Sequence, residues 1–300
     1  MREFRFSAMT RRGMIASVLP PMVLSAAKRQ DLLGEVRAME GREGLTRLEF
    51  SDAMIHRWVG ARMRTGFTTL PIVSPDGSAL CWGMETVPDP GPFLTVSSEA
   101  RGLQNVFLKD YTADAFVVSS GPAWIVTTAR RPLPVRNSWR LLLVDLRSGI
   151  NTIEAPAPIP VWEPRSISGT GALVAVCDGI TTAVHEIPSG HPVHRFAGIH
   201  PLISPDGTSI AYIRNERFMS RPMDGDTERV LLPSVKAVSN VGWSPNGRYL
   251  LAAAWTRRVA FYKRLIVIDV ESGDYAELHT LGDGDHARGE TWVSQKLLAR

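Results

Sequence analysis

Apolar residues in this chain fall in short runs, each fronted by a tight polar turn. Ser74-Pro75-Asp76-Gly77 leads into Ser78-Ala79-Leu80-Cys81-Trp82. Ser204-Pro205-Asp206-Gly207 leads into Thr208-Ser209-Ile210-Ala211-Tyr212-Ile213, and Ser244-Pro245-Asn246-Gly247 into Arg248-Tyr249-Leu250-Leu251-Ala252-Ala253. Pro presets φ at the second turn position, and Gly accepts the positive φ that closes the turn. Each unit therefore predicts two strands joined by a β-turn. Weaker copies lie between them: Ser168-Gly169-Thr170-Gly171 before Ala172-Leu173-Val174, and Val118-Ser119-Ser120-Gly121 before Pro122-Ala123-Trp124. Near the C-terminus, Trp292-Val293-Ser294 and Leu297-Leu298-Ala299 echo Trp243-Ser244 and Leu250-Leu251-Ala252, with a shorter turn. Turn starts at 74, 118, 168, 204, 244 and 293 give steps of 44, 50, 36, 40 and 49. Their mean, about 44 residues, is the length of one four-stranded propeller blade.

A second element recurs between the turns. Leu141-Leu142-Leu143-Val144-Asp145 runs to Ser148-Gly149, Leu265-Ile266-Val267-Ile268-Asp269 to Ser272-Gly273, and Ala183-Val184-His185-Glu186 to Ser189-Gly190. Each reads as a strand ending in a Gly turn. A blade then runs strand A, Ser-Pro-Asp-Gly turn, strand B, variable loop, strand C, Ser-Gly turn, strand D. Over residues 60 to 300 this pattern resembles the WD-like repeats of the TolB-type six-bladed propellers, which also occur in prolyl-oligopeptidase-type peptidases. The resemblance implies an all-β fold: a six-bladed β-propeller of four-stranded antiparallel blades. The last motif reaches only its B strand before Arg300. Leu45–Phe50 and Ile55–Val59 have strand-like composition, so the last blade is expected to be closed by these N-terminal strands, sparing the ring exposed edges. Seven blades fit if the two longest steps hide further strands.

Antiparallel order puts the A–B and C–D turns on one face and the B–C and D–A loops on the other. Asp76, Asp206, Asp224, Asp226, Glu271 and Asp274 fall on the turn face. The loops carry Arg130, Arg131, Arg136 and Arg140, then Arg214 and Arg217, then Arg257, Arg258, Lys263 and Arg264. A basic rim around a funnel would steer an acidic partner, and Trp139, Trp255, Phe261 and Tyr262 lie near it as possible anchors. The expected rim residues are Arg130, Arg131, Arg214, Arg257 and Arg258. The expected funnel residues, at the starts of A strands, are Arg165, His200, Asn240 and Glu290.

No Gly-x-Ser-x-Gly elbow, His-Glu-x-x-His, Walker loop or Cys-x-x-Cys occurs, so no catalytic residue, metal or cofactor is assigned. The four histidines from His185 to His200 fall on opposite faces by strand order. Function divides between a binding or scaffolding module, taking an envelope protein or a small acidic ligand, and a funnel enzyme of the carbohydrate-lyase or lactonase kind.

The N-terminus reads as an address. Arg2, Arg5, Arg11 and Arg12 precede an uncharged stretch, Met14 to Ala27, that is too short for the roughly 20 residues a bilayer needs. Ser25-Ala26-Ala27 offers small residues for cleavage, and Thr10-Arg11-Arg12-Gly13-Met14-Ile15 resembles the twin-arginine signal. Residues 1–27 are thus expected to be an export signal, 28–44 a lead-in segment or short helix, and 45–300 the propeller. The mature chain is expected in the periplasm or otherwise exported, monomeric and without a membrane span. A net charge of +4 over 300 residues gives no argument for nucleic acid. Cys81 and Cys177 sit on B strands of blades that are not neighbours, which predicts two buried thiols and no bridge.

Overall fold

The computed structural model describes residues 26–49, 72–84, 93–108, 111–121, 123–131, 139–148, 151–232, 238–255, 263–281 and 290–298. The recurring turn has one glycine geometry at four places and one serine bond at five. The amide of Gly77 donates to Ser74 O at 2.9 Å, and Gly171, Gly207 and Gly247 repeat this to Ser168, Ser204 and Ser244. These glycines have φ between 72° and 79°, where a side chain would be strained. The leading serine does as much as the glycine. Its buried Oγ accepts the amide five residues on: Ala79 from Ser74 at 2.9 Å, Trp124 from Ser119 at 3.0 Å, Leu173 from Ser168 at 3.0 Å, Ser209 from Ser204 at 2.9 Å and Tyr249 from Ser244 at 2.8 Å.

Each turn starts an antiparallel four-stranded sheet in simple meander order. The first blade is β2 (Ile72–Val73), β3 (Ala79–Met84), β4 (Phe93–Ser98) and β5 (Gly102–Phe107). The second is β6 (Thr112–Val118), β7 (Trp124–Arg130), β8 (Trp139–Asp145) and β9 (Asn151–Glu154). The third is β10 (Glu163–Ile167), β11 (Leu173–Cys177), β12 (Thr181–Glu186) and β13 (Pro192–Ala197). The fourth is β14 (Ile199–Ile203), β15 (Ser209–Arg214), β16 (Arg217–Pro222) and β17 (Arg229–Leu232). The fifth is β18 (Val238–Trp243), β19 (Tyr249–Trp255), β20 (Lys263–Asp269) and β21 (Tyr275–Leu281). Among the described residues the steps of 50 and 49 hold four strands each.

First strands of successive blades meet, β6 with β10, β10 with β14, and β14 with β18, which makes them the inner strands of a propeller. The core lies between blades. Val117, Trp124 and Leu143 of the second pack on Val174, Val176 and Ala183 of the third, and Ala211 and Phe218 of the fourth on Trp243, Leu250 and Ile268 of the fifth. The turns are stitched together: Ser120 N donates to Gly169 O at 3.1 Å, and Gly169 N to Pro205 O at 2.8 Å. Cys81 and Cys177 are buried free thiols, and burial pushes the Cys81 thiol up.

Two features differ from expectation. Where six four-stranded blades were expected, the described residues form five, plus a two-stranded sheet of β1 (Leu45–Glu49) and β22 (Glu290–Ser294). The last motif has no B strand either: Gln295–Leu298 is a helical turn, α2. No Pro or Gly follows Ser294 to turn the chain back, and Gln, Lys and Leu are good helix formers. Ser294 Oγ instead accepts the Lys296 amide at 3.3 Å, as a helix cap does. Ile55–Val59 lies outside the described residues.

Residues 26–43 form a helix, α1 (Ala26–Glu43), that ends at Gly44 with φ 61°. Leu32, Val36 and Met39 recur on one face and pack against Tyr249, Leu251, Val267 and Ala276 of the fifth blade and Trp292 of β22. Glu35 accepts from Arg248 Nη2 at 2.8 Å and Tyr249 Oη at 3.1 Å, and Glu40 from Trp292 Nε1 at 3.0 Å.

Candidate functional site

The inner strands are not regular. Between β10 and β11 the register slips at Arg165, between β14 and β15 at His200–Pro201, between β18 and β19 at Asn240–Val241, and between β6 and β7 at Asp114. Four consecutive blades therefore carry a β-bulge near the start of the inner strand, at the end facing the B–C and D–A loops. A bulge leaves a residue unpaired and re-aims its side chain. Three of the four expected funnel residues are these bulged positions. Glu290, the fourth, opens β22 opposite Glu49.

Arg165 and His200 lie on neighbouring inner strands, since β10 packs on β14. Arg165 Nη2 donates to Glu163 Oε2 at 2.5 Å, with 37% and 44% of the two side chains exposed. His200 also is solvent-exposed. Yet desolvation first, and the charge of Arg165 second, lower its imidazole below the ordinary 6.5. His200 has φ 50°, unusual for a non-glycine residue outside a tight turn.

The described rim is built in the second blade. Arg131 lies over the Tyr111 ring at 5.2 Å, and its Nε and Nη2 donate to Tyr111 Oη at 3.1 and 3.0 Å. Arg130 stands 5.9 Å from the ring centre of Trp139, which is 37% exposed. Arg214 is engaged differently. Its Nη1 donates to Glu228 Oε1 at 2.9 Å, its Nη2 bonds the other oxygen, and Tyr212 Oη donates to Oε1 at 2.5 Å. Bonds from Tyr212 and Arg214 hold the Glu228 carboxyl below its usual range. This network keeps the Arg214 charge within the fourth blade. Arg257 and Arg258 lie outside the described residues.

The turn face is less acidic than strand order alone suggests. Asp76 and Asp206 close their own turns, accepting from Ser74 and Ser204 Oγ at 2.8 and 2.6 Å and from the amides of Ser78 and Thr208 at 2.9 and 3.0 Å. Arg221 pairs with Asp226, and Arg248 with Asp269, both at 2.8 Å. Arginines thus stand on both faces.

Among the described residues no group of three or more His, Cys, Asp or Glu is placed to hold a metal ion. His185 is buried with Nδ1 donating to Gly190 O at 3.1 Å, whereas His194 Nε2 donates to Met223 O at 2.5 Å. The sequence reading missed Asp114, Glu163 and Tyr111. Asp114 and Glu163 were within reach: they lie five residues before Ser119 and Ser168, much as His200 lies four before Ser204. Tyr111 belongs to no repeat, and only contact geometry reveals it.

No protein-family model matches the chain, and no curated protein matches it. Solved propellers do. A TolB structure from Agrobacterium tumefaciens aligns with a TM-score of 0.54 at 17% identity, covering 77% of this chain and 90% of that one. TolB from Acinetobacter baumannii aligns at 0.53 and 16% identity, covering 77% of this chain and 58% of that longer one. An oligogalacturonate lyase in complex with manganese aligns at 0.47 and 13% identity, over 79% and 73%. The two TolB structures share the β-propeller fold with this chain. No helix among the described residues is long and apolar enough to cross a membrane.

Proposed function

We propose that this chain is an exported, TolB-like β-propeller that binds an envelope protein or a small acidic ligand through its loop face and funnel mouth. The observation that carries the reading is the cluster of cations on that face. Arg130 and Arg131 are set on aromatic rings at the rim, and Arg165 lies on the inner strand that neighbours the one carrying His200. Arginine on an exposed aromatic is a common anchor, since the stacked guanidinium loses little freedom on binding. Export rests on the basic start, the short apolar stretch and the small residues before Lys28. We also read β1 and β22 as the inner part of a sixth blade that closes the ring. Support comes from β22 lying beside β18, and from Ser294 N donating to Gly77 O of the first blade at 3.0 Å.

The test is affinity capture from an envelope fraction with the purified protein and its Arg130→Ala/Arg131→Ala variant. The reading expects one saturable partner whose capture weakens with salt and is lost in the variant. Capture that survives both changes contradicts it.

A further inference from the structure

We propose that the adjacent bulges of β10 and β14 form a carboxylate-binding site at the funnel mouth, with Arg165 and His200 as its N–H donors. This deepens the loop-face reading and rests on it for location. Arg165 is the unpaired residue of its strand and His200 begins the irregular step of the next, so neither is fixed by ladder hydrogen bonds. Their elements are neighbours, since β10 packs on β14. Glu163 shows what the guanidinium takes at this place: a carboxylate oxygen 2.5 Å from Nη2. That contact uses one of five N–H donors in a fork that suits a second carboxylate. The pair is exposed on both sides, so it is weak and exchangeable.

His200 supplies the second donor and the geometric argument. Its backbone is held at φ 50°, whereas the other two non-glycine residues with positive φ among the described residues, Asn215 and Glu216, sit together in a two-residue hairpin turn that requires it. No tight turn requires it at His200. Backbone strain of this kind persists where the surroundings fix a side chain in place. Asp114, on the bulge of the neighbouring inner strand, and Glu163 add negative charge at the margin. The site therefore holds one carboxylate and rejects a compact multivalent anion.

Ligand-observed saturation-transfer NMR tests this with the full-length protein. The probes are propionate, acetyl-Gly-Asp-Gly-amide and acetyl-Gly-Asn-Gly-amide. We expect saturable binding of propionate or the Asp peptide, and none of the Asn peptide. Binding should be at least about tenfold weaker in Arg165→Met, the loss expected for one charge-assisted contact. His200→Asn keeps a residue that tolerates positive φ and should weaken binding as well, so the test survives if either variant misfolds. Propionate alone indicates a free small acid, and preference for the Asp peptide a protein carboxylate. No saturable signal from wild type, equal binding of the Asn peptide, or unchanged binding in both variants overturns the proposal. Wild type that captures the envelope partner yet shows no saturable binding of propionate or the Asp peptide overturns this site and leaves the loop-face reading standing, whereas loss of both overturns the two together.

Discussion

The serine that opens each turn is the most repeated single interaction in the molecule. Ser244 is fully buried, its Oγ donates to Asn246 Oδ1 at 2.6 Å, and it accepts the Tyr249 amide at 2.8 Å. Ser244→Ala leaves that buried amide without its side-chain acceptor, at about 1–3 kcal/mol. A lower urea midpoint at unchanged slope is the expected result, and an unchanged midpoint contradicts this role for the serine. Histidine burial has a different signature. Desolvation lowers the imidazoles of His185 and His200 below 6.5. A folded-state pKa below the unfolded value means that the unfolded chain binds more protons as pH falls through about 6.5, so stability drops there. His185→Gln should flatten the fall in melting temperature below about pH 6.5; an identical pH profile would show that His185 does not contribute.

At the scale of elements, backbone-to-backbone contact between blades matters most. A Cβ on Gly169 would sit 2.4 Å from Pro205 O, the same oxygen that accepts the Gly169 amide. Gly169→Ala must push the turns of the third and fourth blades apart. A clear loss of thermal stability is expected, of about 1–3 kcal/mol as for overpacking elsewhere, and wild-type stability contradicts the stitched-turn account. The turns were legible in the sequence because Ser, Pro and Gly are required there by backbone geometry. The bulges were not, since a bulge depends on pairing with the next strand and leaves no residue signature of its own. The position of Arg165 could be counted from Ser168, but its approach to His200 needs the neighbouring blade. At Gln295–Leu298 the apolar letters misled: Leu297 and Leu298 copy Leu250 and Leu251, but without a turn they follow helix propensity.

On the scale of the whole molecule, period and strand order predicted a propeller, and five four-stranded blades are described. Helix α1 was the less legible part. Its buried face, Leu32, Val36 and Met39, becomes meaningful only against the fifth blade and Trp292. Charge segregation also looked cleaner along the chain than it is in space, because Arg221 and Arg248 stand on the turn face. What distinguishes the loop face is the clustering of Arg130 and Arg131 on aromatics above a bulged inner wall. Hydrogen exchange measured with and without the captured envelope partner tests that claim most directly. The account predicts new protection at 111–115, 130–131, 163–166 and 199–202, with the turns at 74–78, 204–208 and 244–248 unchanged. Protection confined to those turns would contradict it.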